Sequence, residues 1–229
     1  MEFRIGTSGY SYKEWKGAFY PERLPAKGML EFYATQLGAV EINNTFYRLP
    51  KPELLGGWRR QVPEGFRFAI KAPQRMTHVK KLASVQDELA ALLRAVKELD
   101  AGLGVLLFQL PPWLRADVSR LQEFAAQLPV RAAFEFRHAS WSTPEVRDAL
   151  RQHNIACVIT DADESSECPE LESTADFGYV RLRRTHYAPQ ALQAWKDRLR
   201  AQPWREVFVF FKHEDSAQGA LWARDFGGL

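Results

Sequence analysis

The chain has few of the residues and segments that mark several large protein classes. Only two cysteines, Cys157 and Cys168, occur in 229 residues, without CxxC spacing or a matching histidine pair. This low cysteine content argues against a disulfide-built scaffold and favours a cytoplasmic protein with reduced thiols. No basic segment precedes an apolar core at the amino terminus, and the strongest apolar run, Gly104 to Leu114, is interrupted by Gln109 and two prolines. The sequence therefore predicts neither a signal peptide nor a membrane span.

Neither sign of charge dominates. Lys and Arg number 31 against 28 Asp and Glu, so the net charge is only +3 and the surface is mixed rather than that of a basic nucleic-acid tail. Internal repeats and low-complexity linkers are absent from the sequence. With 46% hydrophobic residues, the chain suffices for one buried core, and we predict a single domain over residues 1–229.

Short segments that alternate apolar and polar residues recur along the chain, separated by segments with apolar residues three and four apart. The predicted strands are Phe3–Ser8, Ala39–Asn43, Phe66–Lys71, Gly104–Leu110, Ala132–Phe136, Ile155–Thr160, Tyr179–Leu182 and Glu206–Phe211. The predicted helices are Ala26–Leu37, Pro52–Gln61, Ser84–Leu99 with Ser84 as its N-cap, Val118–Leu128, one opened by Thr143, Pro144 and Glu145, Pro189–Ala201 and Ala217–Phe226.

Eight strands alternating with helices or their equivalents predict an α/β fold, a single (β/α)8 TIM barrel. An open doubly wound sheet is the structural alternative. The sequence after the first strand lacks the glycine-rich fingerprint that would support it.

Side-chain alternation predicts which strand residues face the barrel lumen. In Ala133 to Arg137 one parity is phenylalanine and the other ends in Glu135 and Arg137, and charges buried under the helices would be costly. The phenylalanines should therefore face the helices and the charges the lumen. The same reasoning predicts a set of polar residues in one mouth at the carboxyl ends of the strands. They are Glu41, Asn43, Lys71, Gln109, Glu135, Arg137, Arg181 and Arg183.

Cationic residues outnumber carboxylates in this predicted mouth, which favours an anionic ligand. A purely structural role is the alternative, because inward-facing Arg and Glu can form ion pairs that only fill a lumen. The convergence of several such groups at one end of one fold favours a binding or catalytic site.

Five motifs in this order resemble the YecE-like family, also called domain of unknown function 72. They are GTSGYSYKEWKGAFYP at Gly6–Pro21, EINNTFYRLP at Glu41–Pro50, FRFAIKAPQRMTH at Phe66–His78, LFQLPP at Leu107–Pro112 and FEFRHASW at Phe134–Trp141. The resemblance covers most of the chain. It implies a TIM barrel and a location for the site, but no reaction, since the family's activity is unassigned.

The resemblance also carries individual positions of the site over to this chain. They are Glu41, Asn43, Thr45, Tyr47, Lys71, Glu135, Arg137, Trp141 and Arg181. Two regions depart from the family pattern. Arg183 stands where the resemblance implies His, and Lys212 and His213 stand where it implies Asn. Both departures add basic or titratable groups.

Phosphate handling fits most of these residues, because Arg binds phosphate through two donors and TIM barrels often hold phosphate near their last strands. The predicted catalytic residues are Glu41, Glu135 and His138, with His78 as a further acid/base candidate. GTSG is not a nucleophile elbow and is interpreted as a tight turn beside the ligand. The predicted binding residues are Ser8, Tyr10, Asn43, Thr45, Tyr47, Lys71, Gln109, Arg137, Trp141, Arg181 and Arg183.

Three other functions are weaker alternatives. Glu41 and Glu135 across the mouth, with aromatic residues to stack on a sugar, would suit an inverting glycosidase. A divalent metal could use Glu41, Glu135, Asp161 and His138, although no HxH, HExxH or DxD spacing occurs, so no cofactor is predicted. A nucleic-acid binder would use basic residues interleaved with aromatics. Its contacts would be Lys13, Trp15, Lys16, Arg48, Lys51, Arg75, Lys80, Lys81 and Trp141.

Overall fold

A closed barrel of eight parallel strands forms the centre of the protein. The computed structural model describes residues 1–163, 168–212 and 216–229. The strands are β1 (Glu2–Ser8), β2 (Ala39–Ile42), β3 (Arg67–Lys71), β4 (Leu103–Gln109), β5 (Ala132–Glu135), β6 (Ala156–Asp161), β7 (Phe177–Leu182) and β8 (Glu206–Phe211). They pair in chain order, and β8 pairs with β1 to close the barrel.

Helices pack around this barrel. They are α1 (Met29–Gln36), α2 (Pro52–Arg59), α3 (Gln86–Val96), α4 (Val118–Ala125), α5 (Pro144–Gln152), α6 (Pro189–Arg200) and α7 (Gln218–Gly228). In the part of the chain that the structure describes, no α-helix lies between β6 and β7. The predicted (β/α)8 barrel is confirmed, with all eight strands within a few residues of their predicted bounds.

Helix starts show where sequence signals succeeded and failed. Pro52, Pro144 and Pro189 open their helices at the first turn, where a missing N–H costs nothing. Ser84 was predicted as the N-cap of α3, and this is wrong. The helix begins two residues later, and Ser84 lies in the left-handed region with φ of 50° in the irregular turn before it.

Strand alternation divides the apolar residues into two layers. Outward-facing side chains such as Val40, Phe68 and Val180 pack under the helices in the larger cluster. Inward-facing side chains such as Ala69, Leu107 and Phe210 form a separate cluster inside the lumen. The lumen is therefore a packed core rather than a pore, as is general for this fold.

The lower lumen is filled largely by aromatic rings. Tyr179 lies 5.3 Å from Phe210 and 6.3 Å from Phe208, measured between ring centroids. Gly104 on β4 leaves room for this packing, because a Cβ atom there would lie 2.8 Å from the Phe208 ring. At the opposite end from the predicted mouth, Glu206 accepts hydrogen bonds from Arg4 at 2.6 Å and Arg131 at 2.5 Å. The rings of Phe208, Phe210 and Tyr179 therefore close the lumen below the predicted mouth.

Both cysteines are free thiols, with Cys157 half-buried and Cys168 exposed. Among the residues the structure describes, no helix combines the length and apolar character needed to cross a bilayer.

Phe134 provides a test of the layer under the helices. Its buried ring lies 5.2 Å from Phe108 on β4 and 6.1 Å from Phe124 on α4, so it joins two strands to a helix. We expect Phe134→Ala to lower the free energy of unfolding by about 3–5 kcal/mol, because it leaves a cavity in a close-packed layer. Urea denaturation measures this. Leu54→Ala, at a side chain 49% exposed, is the matched control and should change stability by less than about 1 kcal/mol.

Candidate functional site

A cavity of about 430 Å³ opens at the carboxyl ends of the strands. Its wall comes from strand ends and from the loops after β1, β2 and β3. The lining residues are Ser8, Tyr12, Asn43, Phe46, Tyr47, Lys71, His78, Gln109, Arg137, Arg181, Arg183 and Lys212. Eight of the predicted binding residues are thus brought together in one place, which is where TIM barrels carry their sites.

Beneath this cavity, Arg181 joins two carboxylates from distant strands. Its Nη2 donates to Glu41 Oε1 at 2.8 Å, and its Nη1 donates to Glu135 Oε2 at 2.5 Å. All three side chains are at most 6% exposed. Buried charges are tolerated when they are paired and hydrogen-bonded, and here one guanidinium group serves two acids.

Both carboxylates are saturated with hydrogen bonds. Glu41 also accepts from Ser8 Oγ, Asn43 Nδ2 and Tyr179 OH, each at 2.8 Å. Glu135 also accepts from Gln109 Nε2 at 2.8 Å and Arg137 Nε at 3.0 Å.

These contacts determine the ionisation of both acids. Burial alone would raise the pKa of Glu135, but Arg181 and Arg137 hold it at about 2. Burial likewise opposes ionisation of Glu41, and Arg181 nevertheless keeps its pKa below the ordinary value. Both acids are therefore anionic at neutral pH and fully engaged. Their predicted catalytic role stays a prediction, and the geometry favours positioning of Arg181 over proton transfer.

Lys71 ends β3 at the cavity wall. Its Nζ donates to Gln109 Oε1 at 2.7 Å and lies 4.2 Å from the centroid of the Phe46 ring. In the described residues it makes no ion pair with a carboxylate. Burial and the nearby Arg181 lower its pKa to about 8. Lys71 is thus a half-buried amine beside an aromatic face.

The upper wall of the cavity is strongly cationic. Arg137 is 43% exposed, and Arg183 is half-buried with no ion pair among the residues the structure describes. Burial and Arg181 lower the pKa of Arg183, which shows that it lies in an already positive field. Lys212 contributes a further cation. Two departures from the family pattern, Arg183 and Lys212, therefore lie in the cavity, whereas His213 falls outside the described residues.

A smaller cavity of about 210 Å³ adjoins the first. It is lined by Tyr10, Ile42 and Trp58, with Tyr12 and Asn43 shared between the two. The Asn43 Oδ1 atom is buried and lacks a hydrogen-bond partner in the described structure, and so does Arg181 Nε. Unsatisfied buried polar atoms are uncommon, and these two lie next to the cavities. Tyr10 therefore lines a side pocket rather than the main cavity.

Three predicted site residues lie elsewhere. Thr45 is buried and donates to the backbone oxygen of Lys71 at 2.6 Å, which ties the loop after β2 to the end of β3. Trp141 is 4% exposed, stacks on Phe136 at 4.7 Å and donates to Leu114 O at 2.8 Å. His138 uses Nδ1 to accept from Ser140 N in the same loop. None of the three lines the main cavity, so direct roles there for Thr45, Trp141 and His138 are not supported by their positions.

The four residues considered as metal ligands do not come together. Asp161 accepts from Arg184 Nε at 2.6 Å, Tyr187 OH at 3.0 Å and Trp195 Nε1 at 3.2 Å, on the helix side of β6. In the described ranges, no group of three or more His, Cys, Asp and Glu residues could hold a metal ion. The two acids that do face the lumen are occupied by Arg181.

Sequence reasoning missed Tyr179 as a contributor to the site. Its hydroxyl donates to Glu41 Oε2 at 2.8 Å from a fully buried ring. Because Tyr179 has the same strand parity as Arg181, alternation along β7 could have placed it in the lumen. The residue type alone did not indicate a site, because buried tyrosines are also common in ordinary hydrophobic cores.

Acid denaturation tests the role of Glu135. Its pKa is depressed in the folded state, so its contribution to stability is complete above about pH 4.5 and is lost as the pH falls towards about 2. We expect Glu135→Gln to lower the free energy of unfolding at neutral pH by about 3–5 kcal/mol, because Arg181 loses one of its acids. The same variant should show a shallower loss of stability across that acid range. Urea titrations at several pH values measure both effects.

The exposed Glu53 on α2 provides the control. Glu53→Gln should leave both the neutral stability and the acid limb close to those of the wild-type protein. Equal acid limbs in the wild-type protein and the Glu135 variant would contradict the assigned role of the ion pair.

Similarity to known proteins agrees with this architecture. The family model described as "Protein of unknown function DUF72" matches residues 4–228. The UPF0759 protein YecE of Escherichia coli K12 is 38% identical over 166 residues, which cover 69% of this chain and 58% of YecE. The UPF0759 protein YunF of Bacillus subtilis is 23% identical over 257 aligned positions, covering 94% of this chain and 90% of YunF.

Solved structures show the same fold. A DUF72 family protein from Thermotoga maritima has a TM-score of 0.85 and 26% identity, with 100% of this chain and 98% of the other covered. A DUF72 family protein from Enterococcus faecalis has a TM-score of 0.82 and 22% identity, with 99% and 96% covered. The names of these relatives assign no activity. With a family match over almost its whole length, this TIM-barrel chain belongs to the DUF72 family, the YecE-like proteins of unknown function.

Proposed function

We propose that this protein binds a small multivalent anion, best represented by a phosphate ester, in the cavity at the carboxyl ends of its strands. The observation that carries the proposal is the division of charge between the floor and the wall. The floor acids Glu41 and Glu135 are consumed by Arg181, whereas Lys71 and Arg183 have no carboxylate partner in the described structure. An anionic ligand would supply the missing counter-charge.

The charge count supports the same conclusion. Four of the cationic side chains in the cavity wall are Lys71, Arg137, Arg181 and Arg183. Two buried carboxylates lie beneath them, so these groups leave an excess of about two positive charges. Arg side chains bind the oxygens of phosphate through paired donors.

Two details indicate a ligand with more than an anionic group. The polar side chain of Asn43 lines both cavities, and the adjoining aromatic pocket leaves space for a compact uncharged part. A phosphorylated polyol or sugar combines these features. We extend the proposal to a cytoplasmic enzyme that hydrolyses or isomerises such a compound. Either reaction requires a side chain that transfers a proton.

The alternatives receive less support from the geometry. An inverting glycosidase needs one protonated carboxylic acid, and Glu41 and Glu135 are both held ionised. A nucleic-acid surface needs accessible aromatic rings, but Trp15 and Trp141 are 0% and 4% exposed. Arg75 and Lys80 are both paired with Glu88, which reduces the charge available to phosphates there.

Sulfate binding tests the proposal without the need to know the substrate. We expect sulfate to bind the wild-type protein, and Arg183→Gln to weaken the affinity about tenfold or more, because a charge-assisted hydrogen bond is lost. Isothermal titration calorimetry at low ionic strength measures the dissociation constants. Arg224→Gln removes the same charge at an exposed site on α7 and should leave the affinity nearly unchanged. If both variants weakened sulfate binding equally, the loss of affinity would follow from net charge alone, which would contradict a specific site at Arg183.

The pH dependence of sulfate affinity tests the contribution of Lys71. The amine is cationic below its pKa of about 8 and neutral above it, so its attraction for an anion is present below that pH and lost above it. We expect the affinity to fall from about pH 7 to about pH 9.5 while the charge of sulfate stays constant. Lys71→Gln should bind more weakly at the lower pH and show little of this decline. A wild-type profile identical to that of the variant would exclude Lys71 from anion binding.

A further inference from the structure

We propose that Lys71 is a catalytic nucleophile, whose amine forms an imine with the carbonyl group of an anionic substrate. The substrate class is a phosphorylated aldose or ketose, or a 2-oxo acid. This inference rests on the anion-binding function proposed above and goes beyond it, because an anion pocket alone needs only the charge of a lysine.

The position of Lys71 fits a nucleophile. It ends β3 at the cavity wall, and its Nζ is held by one neutral acceptor, Gln109 Oε1, at 2.7 Å. Thr45 holds the backbone oxygen of the same residue at 2.6 Å, so both ends of Lys71 are fixed. Because Gln109 in turn donates to Glu135, the acceptor itself is held in place by the buried ion pairs.

The surroundings of Lys71 disfavour its ammonium form. Burial of the amine is the main cause, and Arg181 and Arg137 add positive charge nearby. The Phe46 ring face, 4.2 Å from Nζ, and the charges of Glu41 and Glu135 favour the ammonium form instead, but the two acids are already paired with Arg181. The resulting pKa of about 8 leaves a usable fraction of neutral amine near neutral pH. Desolvation and a neighbouring cation are the two established means of activating a lysine nucleophile.

His78 lies next to this amine. Its ring is 4.9 Å from the Phe46 ring, between centroids, so Lys71 and His78 contact the same aromatic side chain. Burial, Lys71 and Arg137 lower the pKa of His78, which keeps its imidazole neutral at neutral pH. The Thr77 hydroxyl lies 2.9 Å from its Nδ1 and leaves Nε2 for proton exchange with a bound substrate.

The proposed step balances with one proton drawn from solvent water. The lone pair of Lys71 Nζ attacks the carbonyl carbon as the C=O π bond breaks, and His78 transfers one proton from the nitrogen to the oxygen to give a neutral carbinolamine. His78, protonated again from solvent, then donates to the hydroxyl group, which leaves as water while the nitrogen lone pair forms the C=N bond; the nitrogen keeps its last proton, so the product is an iminium. Arg183 and Arg137 hold the anionic group of the substrate during this step. The iminium then withdraws electrons from the adjacent carbon, which suits isomerisation or carbon–carbon bond chemistry.

Reductive trapping tests the imine directly. The protein is incubated with dihydroxyacetone phosphate or pyruvate and sodium cyanoborohydride, which reduces an iminium to a stable secondary amine. Peptide mapping by mass spectrometry should place the adduct on Lys71, and excess sulfate should reduce the yield. Lys71→Arg keeps the cationic charge but has no primary amine, so it should lose the adduct at that position, while circular dichroism and thermal denaturation check that it folds. Lys51→Arg, at an exposed lysine before α2, should trap like the wild-type protein.

His78→Asn separates proton transfer from structure. It should form the same adduct on Lys71 at least about tenfold more slowly, since general acid/base catalysis is lost while the amine remains. An unchanged trapping rate would remove His78 from the step.

Failure of the inference is distinguishable from failure of the anion pocket. Sulfate binding without a Lys71 adduct, or adducts spread equally over surface lysines, would overturn the imine and leave the pocket standing. Absence of sulfate binding by the wild-type protein would overturn both.

Discussion

The structure of the site depends on one guanidinium group between two buried carboxylates. Arg181 on β7 contacts Glu41 on β2 and Glu135 on β5, so a single side chain links three strands across the lumen. None of these charges would be tolerated at this depth alone, since an unpaired ion loses its hydration without compensation. Ser8, Asn43, Tyr179, Gln109 and Arg137 complete the network by donating to the two acids. Through Gln109 the network also positions Lys71 Nζ above it.

This arrangement explains why a lumen with two acids presents a positive face. The acids point towards Arg181 and are shielded from the cavity by their own partners, while Lys71, Arg137 and Arg183 occupy the wall. Gln109 connects the two levels, because its amide donates to Glu135 and its oxygen accepts from Lys71. Because the amide of Gln109 is neutral, it holds Lys71 Nζ in a fixed position relative to the ion pairs and leaves the charge of the lysine uncompensated. The same separation accounts for acids with low pKa values beside an amine whose pKa is also low.

Strand parity made the fold and the floor of the site predictable from sequence. Alternation placed Glu41, Glu135 and Arg181 in the lumen because two-residue periodicity is a property of the backbone. Residues in loops were less predictable: Trp141 and His138 follow β5 directly, yet a short turn directs them into packing and local hydrogen bonds. Asp161 was a wrong candidate for the lumen. It ends β6 on the side that faces the helices, where it pairs with Arg184. Pair formation between distant residues, such as Tyr179 with Glu41, requires three-dimensional placement that periodicity cannot supply.

The aromatic filling of the lower lumen limits the routes into and out of the cavity. Phe208, Phe210 and Tyr179 occupy the barrel axis below the ion pairs, and Gly104 allows them to pack without a gap on β4. A molecule in the cavity therefore meets a solid base and must depart along the path by which it arrived. The side chains around the rim, among them Tyr47 at 77% exposed, then border the path of both arrival and departure.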